Sequence, residues 1–123
     1  MKKLCFAVAA LLLPAGVAAE PEGEVDYARG ALGYDALMSR DLSTAEAQLR
    51  ESRGVFWNDP ARLINYGQVM ARTGRTDEAA TLFRQAMISD DVELVLADGT
   101  VMTSRDAAAT ALKRLRPIQL SSR

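Results

Sequence analysis

Histidine is absent from the 123-residue sequence, and cysteine occurs once, as Cys5. Histidine is the commonest general base and metal ligand, so its absence excludes Ser-His-Asp triads and Cys/His zinc sites. A single cysteine forms no intrachain disulfide, so a small exported domain of this sequence would have to fold by side-chain packing alone. The sequence therefore predicts a protein that is not an enzyme and that has no cofactor and no metal.

The first 19 residues have the composition of a secretory signal peptide. Lys2 and Lys3 precede an apolar run from Leu4 to Leu13, and small residues then offer a cleavage site after Ala19. The alternative, an uncleaved anchor, is disfavoured because the run is about half of the roughly 20 residues that span a membrane. We therefore expect Sec-type export, a periplasmic or secreted mature protein, and no stable membrane anchor after cleavage.

The net charge after cleavage excludes a further class of partner. Of the 15 basic residues, Lys2 and Lys3 would leave with the leader, so 13 basic residues would face 16 acidic ones, a net charge of −3. A general nucleic-acid binder needs a basic face to displace counterions. We therefore expect no nucleic acid among the partners.

Apolar residues recur at three- and four-residue steps along most of the remaining chain, which predicts a single, mainly α domain over about residues 26–116. Residues 20–25 are acidic and are interpreted as a flexible lead-in. The predicted helices span 26–40, 43–53 and 60–73, and a fourth begins at Thr76. A β-hairpin is predicted over 92–102, with its turn at Asp98–Gly99. A last helix is predicted over 104–116, ended by Pro117 and followed by a frayed tail over 117–123.

An internal repeat organises the helices. Gly33 and Gly67 are 34 residues apart, and so are the pairs Ala45–Ala79 and Leu49–Phe83. Small residues at such positions let two helices approach, and the large apolar residue four places later fills the space beside them. The predicted repeat-packing residues are Leu32, Gly33, Ala45, Leu49, Leu63, Tyr66, Gly67, Ala79, Phe83 and Ala86.

The second copy resembles the tetratricopeptide repeat (TPR) family, whose 34-residue pattern ends with an Ala-x3-Phe pair and a proline. Tyr66–Gly67, Ala79-x3-Phe83 and Ala86 follow that pattern, with Leu63 in place of its tryptophan. The first copy departs from it, because Arg29 replaces the tryptophan and Ala36 the tyrosine. The resemblance implies TPR-like helix pairs over about 26–59 and 60–91, capped by the β-hairpin and the last helix. The alternative is an unrelated four-helix arrangement.

The resemblance also implies a function, because the first helices of TPR domains line a groove that holds a peptide. The chain would then be a non-catalytic protein-protein interaction module, an adaptor in the bacterial periplasm, with a protein or peptide as its partner. By position, the predicted groove residues are Tyr27, Tyr34, Leu37, Met38, Ile64, Gln68 and Arg72. In the alternative interpretation, the first three of these pack beneath the acidic N-terminal segment.

A second candidate surface is the apolar connector Val55–Phe56–Trp57. Aromatic residues are enriched at binding hot spots. This connector, or the edge of the predicted β-hairpin, would mediate the alternative function, a structural envelope component that self-associates as a homo-oligomer. In a small helical domain, however, a connector aromatic such as Trp57 is usually a core residue, and we expect that here. A remote third hypothesis is a small hydrolase that uses carboxylates alone.

Overall fold

The computed structural model of the chain describes residues 7–8, 30–51 and 54–121, with side chains for 30–51 and 54–115. Apart from Ala7–Val8, the predicted signal peptide lies outside the described residues, as do the acidic lead-in and Tyr27. The described elements are β1 (Ala7–Val8), α1 (Tyr34–Met38), α2 (Leu42–Glu51), α3 (Pro60–Arg72), α4 (Thr76–Ile88), β2 (Glu93–Leu96), β3 (Val101–Thr103) and α5 (Ser104–Ser121). The chain is mainly helical, as its apolar periodicity predicts.

The antiparallel pair of α3 and α4 forms the centre of the fold. Asp59 caps α3, with its Oδ1 accepting the Arg62 N–H at 3.1 Å, and Pro60 occupies the first turn, where its missing N–H is not needed. Gly67 lies directly against Phe83: a Cβ on this glycine would be 2.8 Å from Phe83 Cδ1. The predicted contact between a small residue of one helix and a large residue of the next is therefore present.

The first helix is much shorter than predicted. Gly30 and Gly33 have left-handed φ values of +81° and +62°, which a right-handed helix cannot contain, so α1 begins only at Tyr34. The expected helix over 26–40 is therefore wrong over the described residues 30–33. Gly33 still serves close packing, because a Cβ there would lie 3.1 Å from Leu49 Cγ.

A buried polar contact joins the start of the first copy to the second. Asn65 is fully buried, and its Nδ2 donates to the Leu32 carbonyl at 3.0 Å. Leu32 lies in the turn before α1, so this bond satisfies a carbonyl that no helix would satisfy. It anchors the irregular start of the first copy on α3.

The predicted β-hairpin is confirmed. β2 and β3 are antiparallel with Glu93 opposite Thr103, and Gly99 turns the chain with a φ of +83°. Leu94 and Leu96 point into the core, where α5 also packs on α4 through Ala108 and its neighbours. α5 thus covers the apolar side of the second helix pair, and the hairpin adds Leu94 and Leu96 to the same core.

Two further features of this end of the molecule differ from expectation or extend it. α5 continues to Ser121, so the prediction that Pro117 ends it is wrong. Proline lacks the N–H that would bond the carbonyl four residues earlier, and its ring crowds that carbonyl, but the residues after it can still bond backward, so a helix can continue past it. In addition, β1 pairs in parallel with β2, which makes a three-stranded sheet of order β1-β2-β3.

Candidate functional site

Only some of the residues predicted to line the peptide groove are accessible to solvent. Tyr34, Met38 and Gln68 are half-buried, with part of each side chain accessible. Leu37 and Ile64, by contrast, are 0% exposed and belong to the main core. The prediction that these two residues line a groove is wrong, because neither side chain reaches solvent.

The other predicted groove residue, Arg72, joins α3 to α1. Its Nη1 donates to the Leu37 carbonyl at 3.4 Å, at the end of the short first helix. Burial lowers the pKa of Arg72, and the nearby charge of Arg40 acts in the same direction. Arg72 thus contributes to holding α1 in place as well as presenting part of its side chain at the surface.

An open groove that the sequence analysis did not identify lies between α3 and α4. Its volume is about 430 Å³, within the range typical of ligand pockets. We call it the α3–α4 groove. It is lined by Tyr66, Met70, Asp77, Glu78, Thr81, Leu82 and Gln85.

The α3–α4 groove combines apolar and acidic side chains. The half-buried Tyr66 and Leu82 supply apolar surface beside the 2% exposed Met70, while Asp77 and Glu78 bring carboxylates from the first turn of α4. Carboxylates are favoured at that end of a helix by its dipole. The groove is therefore an apolar depression with negative charge at one end.

Tyr66 is held in position by a neighbouring cation. The Arg62 guanidinium lies over its ring, 5.5 Å from the centroid. Arg62 is itself anchored, because its Nε donates to the Leu49 carbonyl and its Nη1 to the Trp57 carbonyl, both at 3.0 Å. One wall of the groove is thus tied to the end of α2 and to the α2–α3 connector.

A bidentate ion pair stands near the acidic end of the α3–α4 groove. Arg75 donates from both terminal nitrogens to the two carboxylate oxygens of Glu46, each at 2.7 Å. These bonds lower the pKa of Glu46 and raise that of Arg75, and the charge of Glu78 also raises the Arg75 pKa. Because Arg75 is engaged by Glu46 of α2, its charge is partly neutralised where the groove begins.

The spacing of the lining residues is a signal in the sequence from which this groove could be predicted. Glu78, Leu82 and Gln85 follow one another at four and three residues on α4, and Tyr66 and Met70 are four apart on α3. Such residues share one helix face. The repeat pattern predicts Tyr66 as a packing residue only. Its side chain does pack against the core, and it also lines the groove.

The connector before α3 exposes two large aromatic side chains. Phe56 is 80% and Trp57 71% exposed, while Val55 packs against the core. The expectation that Trp57 is a core residue is therefore wrong. We call these two rings the Phe56–Trp57 patch. Adjacent exposed aromatics of this kind are typical of interaction surfaces.

Within the described residues, no group of three acidic or cysteine side chains is arranged to hold a metal ion. The helices described there include none that is both long and apolar enough to cross a membrane.

No protein-family model, curated protein or solved structure matches the chain. The chemistry of the α3–α4 groove and of the Phe56–Trp57 patch therefore has to be interpreted from their own residues.

Proposed function

We propose that the chain is an exported, non-catalytic protein-binding module of TPR-like helix pairs that acts as an adaptor in the bacterial periplasm. The observation that carries the binding role is the α3–α4 groove, an open apolar depression with two carboxylates at one end. The TPR-like assignment is supported by two contacts at matching positions of the 34-residue repeat, Gly33 against Leu49 and Gly67 against Phe83, although Gly33 lies in the turn before α1 and Gly67 within α3. The exported location rests on the composition of residues 1–19.

The chemistry of the groove selects a kind of partner. Tyr66 and Leu82, whose side chains are half-buried, can cover one apolar side chain, which supplies affinity through burial. Asp77 and Glu78 favour a lysine or arginine beside it, because opposite charges at such a rim speed encounter and reject acidic partners. The occupant is thus a segment of a partner protein that carries a basic residue next to a large apolar one.

Site-specific crosslinking in cells tests this assignment. A photoreactive amino acid at Thr81, which is exposed and lines the groove, should capture a segment whose mass spectrum shows a basic residue beside an apolar one. The same probe at Arg84, exposed on α4 but outside the groove, is the matched control and should not capture it.

A charge change makes the test specific. Glu78→Gln should weaken capture at position 81 several-fold by removing one carboxylate from the rim, whereas Asp90→Gln, at an exposed site beyond α4, should leave capture unchanged. If the captured segment is acidic, or if Glu78→Gln has no effect, the groove is not the binding face.

The Phe56–Trp57 patch favours a second candidate function, self-association in a structural role. The exposed fractions of 80% and 71% are large for two adjacent aromatic rings. Sedimentation of the wild type should then show a dimer that Trp57→Ser dissociates. Val101→Ser, which removes an exposed apolar side chain on β3, is the control that should leave the dimer intact. A clean monomer at high concentration would exclude this function.

A further inference from the structure

β2 has a strand on each side, and the two strands have different origins. On one side β3 follows it in the chain as the second strand of the hairpin. On the other side lies Ala7–Val8, paired in parallel with Ala7 opposite Val95 and Val8 opposite Leu96. β1 also lies against α3, so it occupies the space between that helix and the edge of β2.

The directions of the backbone groups of β2 show which of them face β1. Leu96 N–H donates to the Thr100 carbonyl at 2.8 Å, and the Val92 carbonyl accepts the Ser104 N–H at 2.7 Å, so even-numbered positions face β3. Backbone groups alternate in direction along a strand. The N–H and C=O groups of Glu93 and Val95 therefore point to the opposite edge, where β1 lies.

This edge depends on the N-terminal segment for its pairing. Cleavage after Ala19, which belongs to the proposed function, would remove β1 and leave the Glu93 and Val95 groups without that strand. An open edge of this kind is a template for an added strand. Leu94 and Leu96 are 0% and 1% exposed, so β2 is held in place by the core and presents its edge as a rigid template.

We propose that this edge of β2 is a strand-addition site, filled by Ala7–Val8 in the full-length chain and by an extended segment of a partner protein after the leader is removed. The segment is uncharged and apolar, as is the run from Leu4 to Leu13 that supplies β1. It adds in parallel, in the register of Ala7 with Val95. The inference rests on the proposed export, and it assigns a binding edge separate from the α3–α4 groove.

The parallel register supplies a matched pair of variants. With Ala7 opposite Val95, the Val8 N–H is the group that would donate to the Val95 carbonyl, whereas the Ala7 N–H would point away from β2. Proline removes an N–H. Val8→Pro should therefore release β1 from the edge, and Ala7→Pro should be tolerated as it is on other edge strands.

The first measurement uses the full-length chain, produced without export. The probe is a dye-labelled peptide with the sequence from Leu4 to Leu12, with Cys5→Ser and a neutral polyethylene glycol tail. Because β1 competes with it, the peptide should bind Val8→Pro about fivefold more tightly than the wild type, as expected for one lost hydrogen bond. The Ala7→Pro chain should bind it as the wild type does, and equal binding to both proline variants would overturn the proposal.

Amide hydrogen exchange, compared between the full-length chain and the processed form, provides the second measurement. The Val95 N–H should be protected in the full-length chain, exchange at least tenfold faster in the processed form, and regain protection when the peptide is added. The Leu96 N–H, which donates to Thr100, should stay protected throughout and thus reports that the fold is intact. If the Val95 N–H is already protected in the processed form without peptide, the proposal is overturned. If that protection rises with protein concentration, the edge is occupied by a second copy of the chain instead.

Mass spectrometry of the exported protein distinguishes a failure of the proposed function from a failure of the strand-addition site. If the leader is retained, the exported mature form does not exist and that part of the proposed function fails. The comparison of the two proline variants in the full-length chain still decides whether β1 occupies a strand-addition site. Conversely, a negative crosslinking result at Thr81 leaves the exchange result at Val95 unaffected, because the two sites lie on different elements.

Discussion

Substituting Gly67 by alanine tests the close contact of α3 with Phe83 of α4. A Cβ at this position would lie 2.8 Å from Phe83 Cδ1 and 2.9 Å from Cζ, distances that real Cβ atoms do not adopt. Gly67 is in the middle of α3, so its backbone has no freedom to withdraw. Phe83 is 1% exposed, so its ring cannot turn out into solvent.

Two effects of opposite sign determine the magnitude. Alanine in place of glycine favours a helix interior by about 1 kcal/mol. Overpacking a close-packed core costs about 1–3 kcal/mol, and three atoms of the Phe83 ring within 3 Å place this site toward the upper end of that range. We therefore expect Gly67→Ala to destabilise the fold by about 1–2 kcal/mol, so the steric term outweighs the helix propensity.

Urea unfolding followed by circular dichroism measures the effect, as a midpoint lowered by roughly 1 M at constant slope. Phe83→Leu in the Gly67→Ala background supplies the compensating change, because leucine is the residue that occupies the equivalent place in the first copy, as Leu49 against Gly33. The double variant should lose clearly less stability than the two single losses combined. A Gly67→Ala protein that is more stable than the wild type would refute the reasoning.

Three further perturbations probe other contacts. Glu46→Gln should make stability depend less on pH on the acid side. The Arg75 bonds hold the Glu46 pKa below its usual value of 4.5, so the wild type has their stabilisation above that pH and loses it as the pH falls through the lowered pKa. Thermal melts of both proteins between pH 6 and pH 3 measure this difference. Asn65→Ala should cost about 1–3 kcal/mol in urea unfolding, because it leaves the buried Leu32 carbonyl without this donor. Deleting residues 94–123 should give an aggregating or molten product, since it removes the cover of the second helix pair, and a truncated chain that melts cooperatively at the wild-type temperature would contradict this.

The elements that were predicted correctly are those whose signals are local. α3 has Asp59 as cap and Pro60 in its first turn, and the hairpin turns at Asp98–Gly99, so a few adjacent residues specify each start or turn. The contact of Gly67 with Phe83 was also predictable, because two helices joined by a short turn must lie side by side. In all these cases the partners are close in sequence and the geometry of one connection decides the outcome.

The elements that were predicted wrongly depend on a choice that local sequence leaves open. Gly30 can adopt either sign of φ, so the same residues suit a helix interior or a left-handed turn, and packing selected the turn. Likewise Pro117 can stop a helix or be contained in one, and α5 contains it. Trp57 is 71% exposed, and an aromatic residue in a connector is buried only if another element covers it, which its neighbours in the sequence do not decide.

The sequence by itself determined the mainly helical class, the boundaries of α3 and the hairpin, and the contact of Gly67 with Phe83 across the short turn between α3 and α4, because periodicity, capping and turn chemistry are properties of neighbouring residues. Only the tertiary structure decided which apolar side chains remain accessible. Periodicity places Ile64 and Tyr66 on helix faces, but whether another element covers a face is settled by residues far along the chain. Hence Ile64 is buried while Tyr66 lines an open groove, and the edge of β2 meets a strand that lies near the opposite end of the sequence.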